Sequence, residues 1–510
     1  MSDNTSNNKR IAKNTIMMYF RMIIMMGVNL YTSRVILQAL GVDDYGIYVA
    51  VGGVVALFGV ISGSLSTATQ RFITHALGKK DQENLNKIFS TSMYIHFAMC
   101  IVIVILAETI GLWFLYNEMQ IPADRTEAAL WVYQCSVASA IIMIVSVPYN
   151  ATIIAHEKMG AFATISILEV VLKLGIVYML YLFHSDKLVL YAVLLLLTQL
   201  CIRFCYTYYC KMNFEETKLR FIKDTKLIKE IGLFSTWSLF GNAAYISYTQ
   251  GLNVLLNMFF APAVNAARGI AIQVQSAVNQ FATNFQTAMN PQITKSYASG
   301  DLDYMHNLVF KSARFSFFML YILSLPILIE CETILRLWLT IVPEHTTTFI
   351  RIVLCISWIN VISNPLIISV KATGRIKTYE MTVGGIMLMI LPISYIFLKL
   401  GYPPYSVFIV NLFIDIIALI FRICISYKLI NFSVISFTKD VILRSSVVAI
   451  IAALLPILLH WTLDNSILSF LIVCTSSILS SCVTIYVIGL NRNERLLIES
   501  KIKQTIKRFH

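Results

Sequence analysis

Charge is what this chain lacks most: 13% of its 510 residues are Asp, Glu, Lys or Arg, against 57% hydrophobic residues and a mean hydropathy of +0.73. No soluble domain of ordinary composition is so poor in charge. The ten cysteines form no CxxC motif and no Cys/His pair at metal-ligand spacing. Most sit inside apolar runs (Cys100, Cys135, Cys201, Cys205, Cys355, Cys474), which argues against a disulfide framework and against structural zinc. No GxxxxGK loop is present, so the sequence offers no P-loop for a nucleotide. Long polar loops are missing as well, the longest being KMNFEETKLRFIKDTKLIKE, Lys211 to Glu230. The N-terminal MSDNTSNNKRIAKN lacks an apolar core with a small-residue cleavage site, so the first apolar segment is expected to be retained.

What remains is a series of apolar segments of about 18 to 25 residues, each long enough to cross roughly 30 Å of hydrocarbon as a helix. They predict an all-α polytopic membrane protein with about fourteen spans, starting near residues 14, 45, 88, 127, 161, 188, 231, 265, 310, 349, 380, 405, 441 and 466. An even number of spans puts both termini on one side. On that side fall roughly 29 Lys and Arg, with about 5 in the opposite loops and about 6 inside spans. Both termini are therefore expected in the cytoplasm, and the net charge of +13 is a topology signal that calls for no nucleic acid.

The Lys211–Glu230 connection divides the chain near its middle. Comparing the halves at an offset of 220 residues aligns Thr67 with Thr287, Ala68 with Ala288, Ile73 with Ile293, Thr74 with Thr294, Asp81 with Asp301 and Ser92 with Ser312. The expected organisation is an N-lobe of six helices (1–210), a cytoplasmic linker (211–230), a related C-lobe of six helices (231–430), and two further helices with a basic tail (431–510).

One stretch is out of place in a bilayer: NAARGIAIQVQSAVNQFATNFQTAMNP, Asn265 to Pro291. At about 100° per residue, Gln275, Asn279, Gln286 and Asn290 fall within about 40° of the direction of Arg268, and Asn265 within about 60°. This stripe rises about 38 Å. A charge at that depth costs at least about 2.5 kcal/mol, so the stripe must face protein or water. The preceding span carries Ser235, Ser238, Asn242, Tyr245, Thr249, Asn253 and Asn257 on one face, and the first span aligns Asn14, Arg21 and Thr32. Under the repeat these faces turn toward one cavity between the lobes. The competing reading makes the same amides packing glue between helices.

Other intramembrane charges are Glu169 and Lys173, spaced to pair on one helix, and Asp415 with Arg422, two turns apart and sharing a face with Asn411 and Ser426. An acid without an intrahelical partner is a candidate proton or sodium site. Pro148, Pro262, Pro326, Pro365 and Pro392 supply bending points. Arg21 and Arg268, with Arg422 and Lys173, give the cavity a positive balance. Arginine forks onto phosphate oxygens and amides match sugar hydroxyls, so an anionic, glycan-rich cargo fits better than a hydrophobic cation.

The segments NTIMMYFRMIIMMGVNLYTSRVILQALGVDDYGIY (Asn14 to Tyr48), SLSTATQRFI (Ser64 to Ile73), and LNVLLNMFFAPAVNAARGIAIQVQSAVNQF with NPQITKSYASGD (Leu252 to Asp301) resemble those of bacterial polysaccharide and O-antigen flippases. These belong to the multidrug/oligosaccharidyl-lipid/polysaccharide exporter superfamily, which includes the MATE transporters. The resemblance implies two six-helix lobes around a central cavity, alternating access in the bacterial inner membrane, and an oligosaccharide on undecaprenyl pyrophosphate as cargo. It further implies Arg21 and Arg268, on the first and eighth helices, as pyrophosphate ligands, while the polar stripes place Gln275, Asn279, Gln286, Asn242, Thr249 and Asn253 along the cavity. Glu169, Lys173, Asp415 and Arg422 are the candidates for coupling to H+ or Na+, and no organic cofactor or metal is expected. The expected partners are the lipid-linked oligosaccharide, membrane lipids and other polysaccharide-assembly proteins. A drug/cation antiporter of the same fold is the alternative, with Asp415 or Glu169 as its essential acid. A membrane-embedded glycan polymerase or ligase is disfavoured by the short outer loops NEMQIPADRTE and HSDK. The tail from Asn491 to His510 places Ile498, Ile502, Ile506 and Phe509 on one face, the pattern of an interfacial helix.

Overall fold

The computed structural model describes residues 2–499 except 57–58, 118, 120, 183–185, 221–223, 261, 340–341, 465, 493 and 497–498. The expected tail helix with Ile498, Ile502, Ile506 and Phe509 thus lies outside the described residues. Among the described residues every regular element is helical. In chain order they are α1 (Ser2–Ala56), α2 (Gly59–Gly78), α3 (Gln82–Asn117), α4 (Ala123–Ala155), α5 (Met159–Leu182), α6 (Lys187–Asn213), α7 (Thr225–Phe259), α8 (Pro262–Ala298), α9 (Leu302–Ile329) and α10 (Cys331–Trp338). They continue with α11 (Thr346–Thr373), α12 (Lys377–Lys399), α13 (Ser406–Ile430), α14 (Val434–Thr462) and α15 (Ile467–Gly489).

Among the described residues, eleven helical segments are long and apolar enough to cross a membrane. Helices α7 and α8 have the length, at 35 and 37 residues, but carry the polar stripes that keep them below that hydropathy. The first two expected spans run together in α1 and break at Gly41, where φ is +81° and a side chain would be strained. Helix starts are marked by side-chain caps: Asp81 accepts from the Asn84 amide at 3.2 Å, Asp186 from Leu188 at 3.0 Å and Ser466 from Ser469 at 3.1 Å. Asn431 ends α13 in the left-handed conformation that Asn tolerates. Large apolar side chains such as Ile110, Phe204, Phe413 and Leu454 are exposed, while Ser, Asn and charged groups are buried, as lipid in place of water demands.

Two compact units form. Unit 1 comprises Met1–Ala243, Thr287–Asp301 and Gly374–Met381; unit 2 comprises Ala244–Gln286, Leu302–Thr373 and Thr382–His510. In unit 1, α4 packs on α2 and α6, and α1 on α5. Its core is aromatic, with Phe89 edge-on to Tyr149 at 5.2 Å and Phe72 edge-on to Phe234 at 5.8 Å. The 211–230 connection packs into this unit: Asn86 Nδ2 donates to the Glu216 carbonyl at 2.9 Å and Tyr94 to the Arg220 carbonyl at 3.1 Å. In unit 2, α11 lies between α9 and α13, and α14 pairs with α15. Trp358 anchors that core by donating to Ser324 Oγ at 2.9 Å.

Two turns separated by the 220-residue offset share backbone detail. After α2, Lys79 N bonds His75 O at 3.1 Å and Asp81 N bonds Ala76 O at 3.1 Å. After α8, at the same 220-residue offset, Ser299 N bonds Lys295 O at 2.9 Å and Asp301 N bonds Ser296 O at 3.0 Å. Lys80 and Gly300 both have positive φ, 57° and 81°. The related residues Gly78 and Ala298 even touch: a Cβ on Gly78 would lie 2.7 Å from the Ala298 Cβ.

Candidate functional site

Each unit holds polar and charged side chains within its long helices. In unit 2, Arg268 projects from α8 and is 5% exposed. Its Nη1 donates to Asn253 Oδ1 and its Nη2 to the Thr249 carbonyl at 2.7 Å, both on α7. Residues 249 and 253 are one turn apart, so the guanidinium lies across a single helical face. Asp415 on α13 is fully buried, and neither carboxylate oxygen makes a hydrogen bond of good geometry. Asn360, Arg422, Tyr245 and Tyr248 are its polar neighbours. Arg422 is buried and donates to Ser363 Oγ at 3.2 Å.

The stripe on α8 divides into bonded and unbonded positions. Gln275 donates to the Val353 carbonyl at 3.1 Å and to Ser357 Oγ at 2.9 Å. Gln286 is buried, donates to the Val361 carbonyl at 2.9 Å and accepts from Asn364 at 3.1 Å. These two amides join α8 to α11, which is the packing role. Asn265, Asn279 and Asn290 by contrast bury amide oxygens that have no hydrogen-bond partner. Buried unbonded amides mark places where water or a ligand belongs.

In unit 1, Arg21 is half-buried. Its guanidinium lies 4.6 Å from the centre of the Phe162 ring and its Nε 3.2 Å from Met25 Sδ, so its apolar faces are covered and its charge is not matched by a direct carboxylate bond. Glu169 and Lys173 pair on α5 at 2.7 Å, and Gln199 of α6 approaches the same carboxylate oxygen at 3.4 Å. Lys173 and Gln199 line a cavity of about 620 Å³ together with Asn29, Thr32, Ser136 and Tyr191. Asn242 of α7 donates to Ser64 Oγ of α2 at 2.8 Å, so these two polar faces meet.

The structure thus gathers Arg268 with Thr249 and Asn253, Glu169 with Lys173, and Asp415 with Arg422. Arg21 and Arg268 belong to different units. A further group was not singled out from sequence: the carboxylate of Glu157, in the α4–α5 loop, takes Lys295 at 2.5 Å, Gln292 at 2.6 Å and Arg10 at 2.8 Å. Its signal lay in the repeat at a local offset of 217 residues, three short of the 220 found elsewhere, at which AHEKM at Ala155–Met159 aligns with ATGRI at Ala372–Ile376. Glu157 stands there at φ 59° where the second half has Gly374 at φ 78°. No cluster of metal-ligating side chains occurs among the described residues.

This arrangement of helices is shared with solved structures. One with TM-score 0.68 and 16% identity, covering 83% of this chain and 96% of the other, is the outward-facing conformation of a multidrug resistance MATE family transporter of the MOP superfamily. The chain has the MATE fold. A MATE in complex with MaD5 gives TM-score 0.70 at 16% identity over 85% of this chain and 97% of that one. A third structure, a MOP superfamily transporter from Pyrococcus furiosus, gives TM-score 0.66 at 14% identity over 84% of this chain and 97% of that one; the reversed polarity of its binding pocket is described as suggesting a different function. No family model and no curated protein matches the sequence.

Proposed function

We propose that this chain is an alternating-access transporter that turns an oligosaccharide on a polyprenyl pyrophosphate from the cytoplasmic to the outer leaflet of a bacterial inner membrane. The observation that carries the reading is Arg268: a buried arginine held by neutral acceptors, Asn253 and the Thr249 carbonyl, on the same helix as unbonded amides at Asn265, Asn279 and Asn290. A guanidinium held by neutral groups keeps its charge for an anion. Amides with unused oxygens suit hydroxyl donors.

In this reading Arg21 and Arg268 receive the pyrophosphate, the asparagines of α7 and α8 receive sugar hydroxyls, and the polyprenyl chain stays in lipid. Asp415, buried beside Arg422, is the site at which a proton or sodium ion couples to the cycle, and Glu169 with Lys173 adjusts the charge of unit 1. The Lys- and Arg-rich loops put both termini in the cytoplasm. Membrane lipids and other polysaccharide-assembly proteins are the partners; neither nucleic acid nor enzymatic chemistry has a role. Asp415 also supports a second reading, a drug/cation antiporter of the same fold, in which the acid itself meets the cargo.

The test is a deletion strain complemented with wild-type, Arg268→Ala or Arg21→Ala/Arg268→Ala copies. Loss of surface polysaccharide with accumulation of lipid-linked oligosaccharide, restored only by the wild type, is expected. A normal glycan profile with raised drug sensitivity in the deletion would move the assignment to the antiporter.

A further inference from the structure

We propose that Glu157 is the centre of a latch that holds the cytoplasmic side of the transport path shut and that must open before cargo enters from that side. The inference rests on the transport reading above but on no particular cargo. Four groups from distant parts of the chain converge on this one residue. Lys295 Nζ donates to Oε1 at 2.5 Å, Gln292 Nε2 to Oε2 at 2.6 Å, Arg10 Nε to Oε2 at 2.8 Å, and Asn14 Nδ2 to the backbone carbonyl at 3.1 Å. Arg10 and Asn14 lie at the start of α1, and Gln292 and Lys295 in the last turns of α8, so the loop joins the two halves of the duplication at their basic end. The adjoining contact of Gly78 with Ala298 marks the same seam, where α2 and α8 meet end to end.

The latch has a closed state that is specific and an open state that is accessible. The Glu157 side chain has no exposure, whereas Arg10 keeps 47% and Lys295 21%. A buried carboxylate is tolerated only while its donors are in place. When they part, Arg10 and Lys295 are already near water and only Glu157 and Gln292 must be rehydrated, so the contact has two discrete states of the kind that lobe rocking needs.

The backbone gives an independent reason to see function here. Glu157 adopts φ 59°, a conformation that favours glycine, while its counterpart Gly374 adopts φ 78°. At Gly374 a Cβ would come within 2.6 Å of Arg71 Nη2, so a cation of α2 packs directly on that turn. In both halves the left-handed residue of the loop faces a cation from the second helix of the opposite half. The second half meets it through a bare backbone; the first accepts strain in order to present a carboxylate.

The experiment uses the full-length protein with its ten native cysteines replaced and a reporter at Thr294→Cys, a buried position between Gln292 and Lys295. Labelling by a membrane-impermeant maleimide is followed in inside-out vesicles. Glu157→Gly removes the carboxylate and relieves the turn; Glu157→Gln keeps the size and the strain; Lys295→Met removes the donor instead. All three should raise the labelling rate about tenfold or more, as expected when the open population grows by that factor. Ala313→Cys, buried in α9, is the control and should stay unlabelled. Wild-type labelling in Glu157→Gly would show that the residue serves the turn alone, and a rise at both reporters would show general loss of fold; either overturns the latch. Labelling needs no substrate, so a latch that opens on schedule in a strain with unaltered glycan faults the flippase reading and not the latch.

Discussion

The two units treat membrane-embedded charge in opposite ways. In unit 1, Glu169 and Lys173 pair at 2.7 Å with 24% and 33% of their side chains exposed, and Lys173 borders an open cavity. In unit 2, Asp415 and Arg422 are both buried, and the arginine donates to Ser363 while the acid accepts no bond of good geometry. The arginines follow the same division: Arg21 lies half-open against Phe162, and Arg268 is enclosed by α7. A neutralised pair beside water can exchange partners at little cost. A buried acid without a bond can change its state only by taking up or losing an ion. The intramembrane charges of unit 1 are thus paired and partly open, and those of unit 2 are enclosed.

The strongest way to break this contrast is at the arginines. Arg268→Ala removes two hydrogen bonds from a buried cation and should cost about 2–3 kcal/mol, read as thermal unfolding in detergent. Arg21→Ala forfeits a ring contact and should cost under about 1 kcal/mol. Both should lose surface glycan, so that equal destabilisation by the two would remove the difference between the units. The acids come next. Glu169→Gln breaks an ion pair that is partly solvated and should cost about 1 kcal/mol or less while leaving ion dependence intact. Asp415→Asn removes no good hydrogen bond and should change stability by under about 0.5 kcal/mol, yet transport should lose its dependence on the proton or sodium gradient. Assayed in energised vesicles, ion dependence that survives Asp415→Asn and disappears in Glu169→Gln would exchange the two roles.

Helix positions were largely legible because lipid imposes a long apolar run on each span: starts expected near 88, 161 and 188 meet α3 at Gln82, α5 at Met159 and α6 at Lys187. The 220-residue offset was legible because Asp81 and Asp301 follow identically bonded turns. A helical period identifies a shared face and says nothing of which neighbour that face meets. Gln275 and Gln286 therefore looked alike with Asn279, although the first two are bonded to α11 and Asn279 is not. Glu157 was illegible by itself because HEK between two spans reads as a solvated turn, and its donors Gln292 and Lys295 are 135 and 138 residues away. The 211–230 connection reads as a polar inter-lobe linker by its charge, and that reading does not foretell that its backbone carbonyls are taken by Asn86 and Tyr94 of α3.

That linker supplies a further small effect, one that depends on pH. Glu216, 3% exposed in its side chain, meets His156 Nε2 at 2.5 Å, and His156 stacks on Phe214 at 4.2 Å. Burial alone would raise the Glu216 carboxyl, but the bonds from His156 and from its own backbone amide outweigh it and hold the group below the usual carboxylate range. A depressed folded value stabilises the protein above the unfolded carboxylate pKa of about 4.3, and that contribution is lost as pH falls through the folded value. Glu216→Gln should therefore cost under about 1 kcal/mol near neutral pH, and the variant and wild type should converge as the pH falls below about 4. The neighbouring residue is Glu157, so the same variant tests whether the linker steadies the latch loop: Thr294→Cys labelling in Glu216→Gln should rise less than in Glu157→Gln, because the loop is loosened while its carboxylate keeps all three donors.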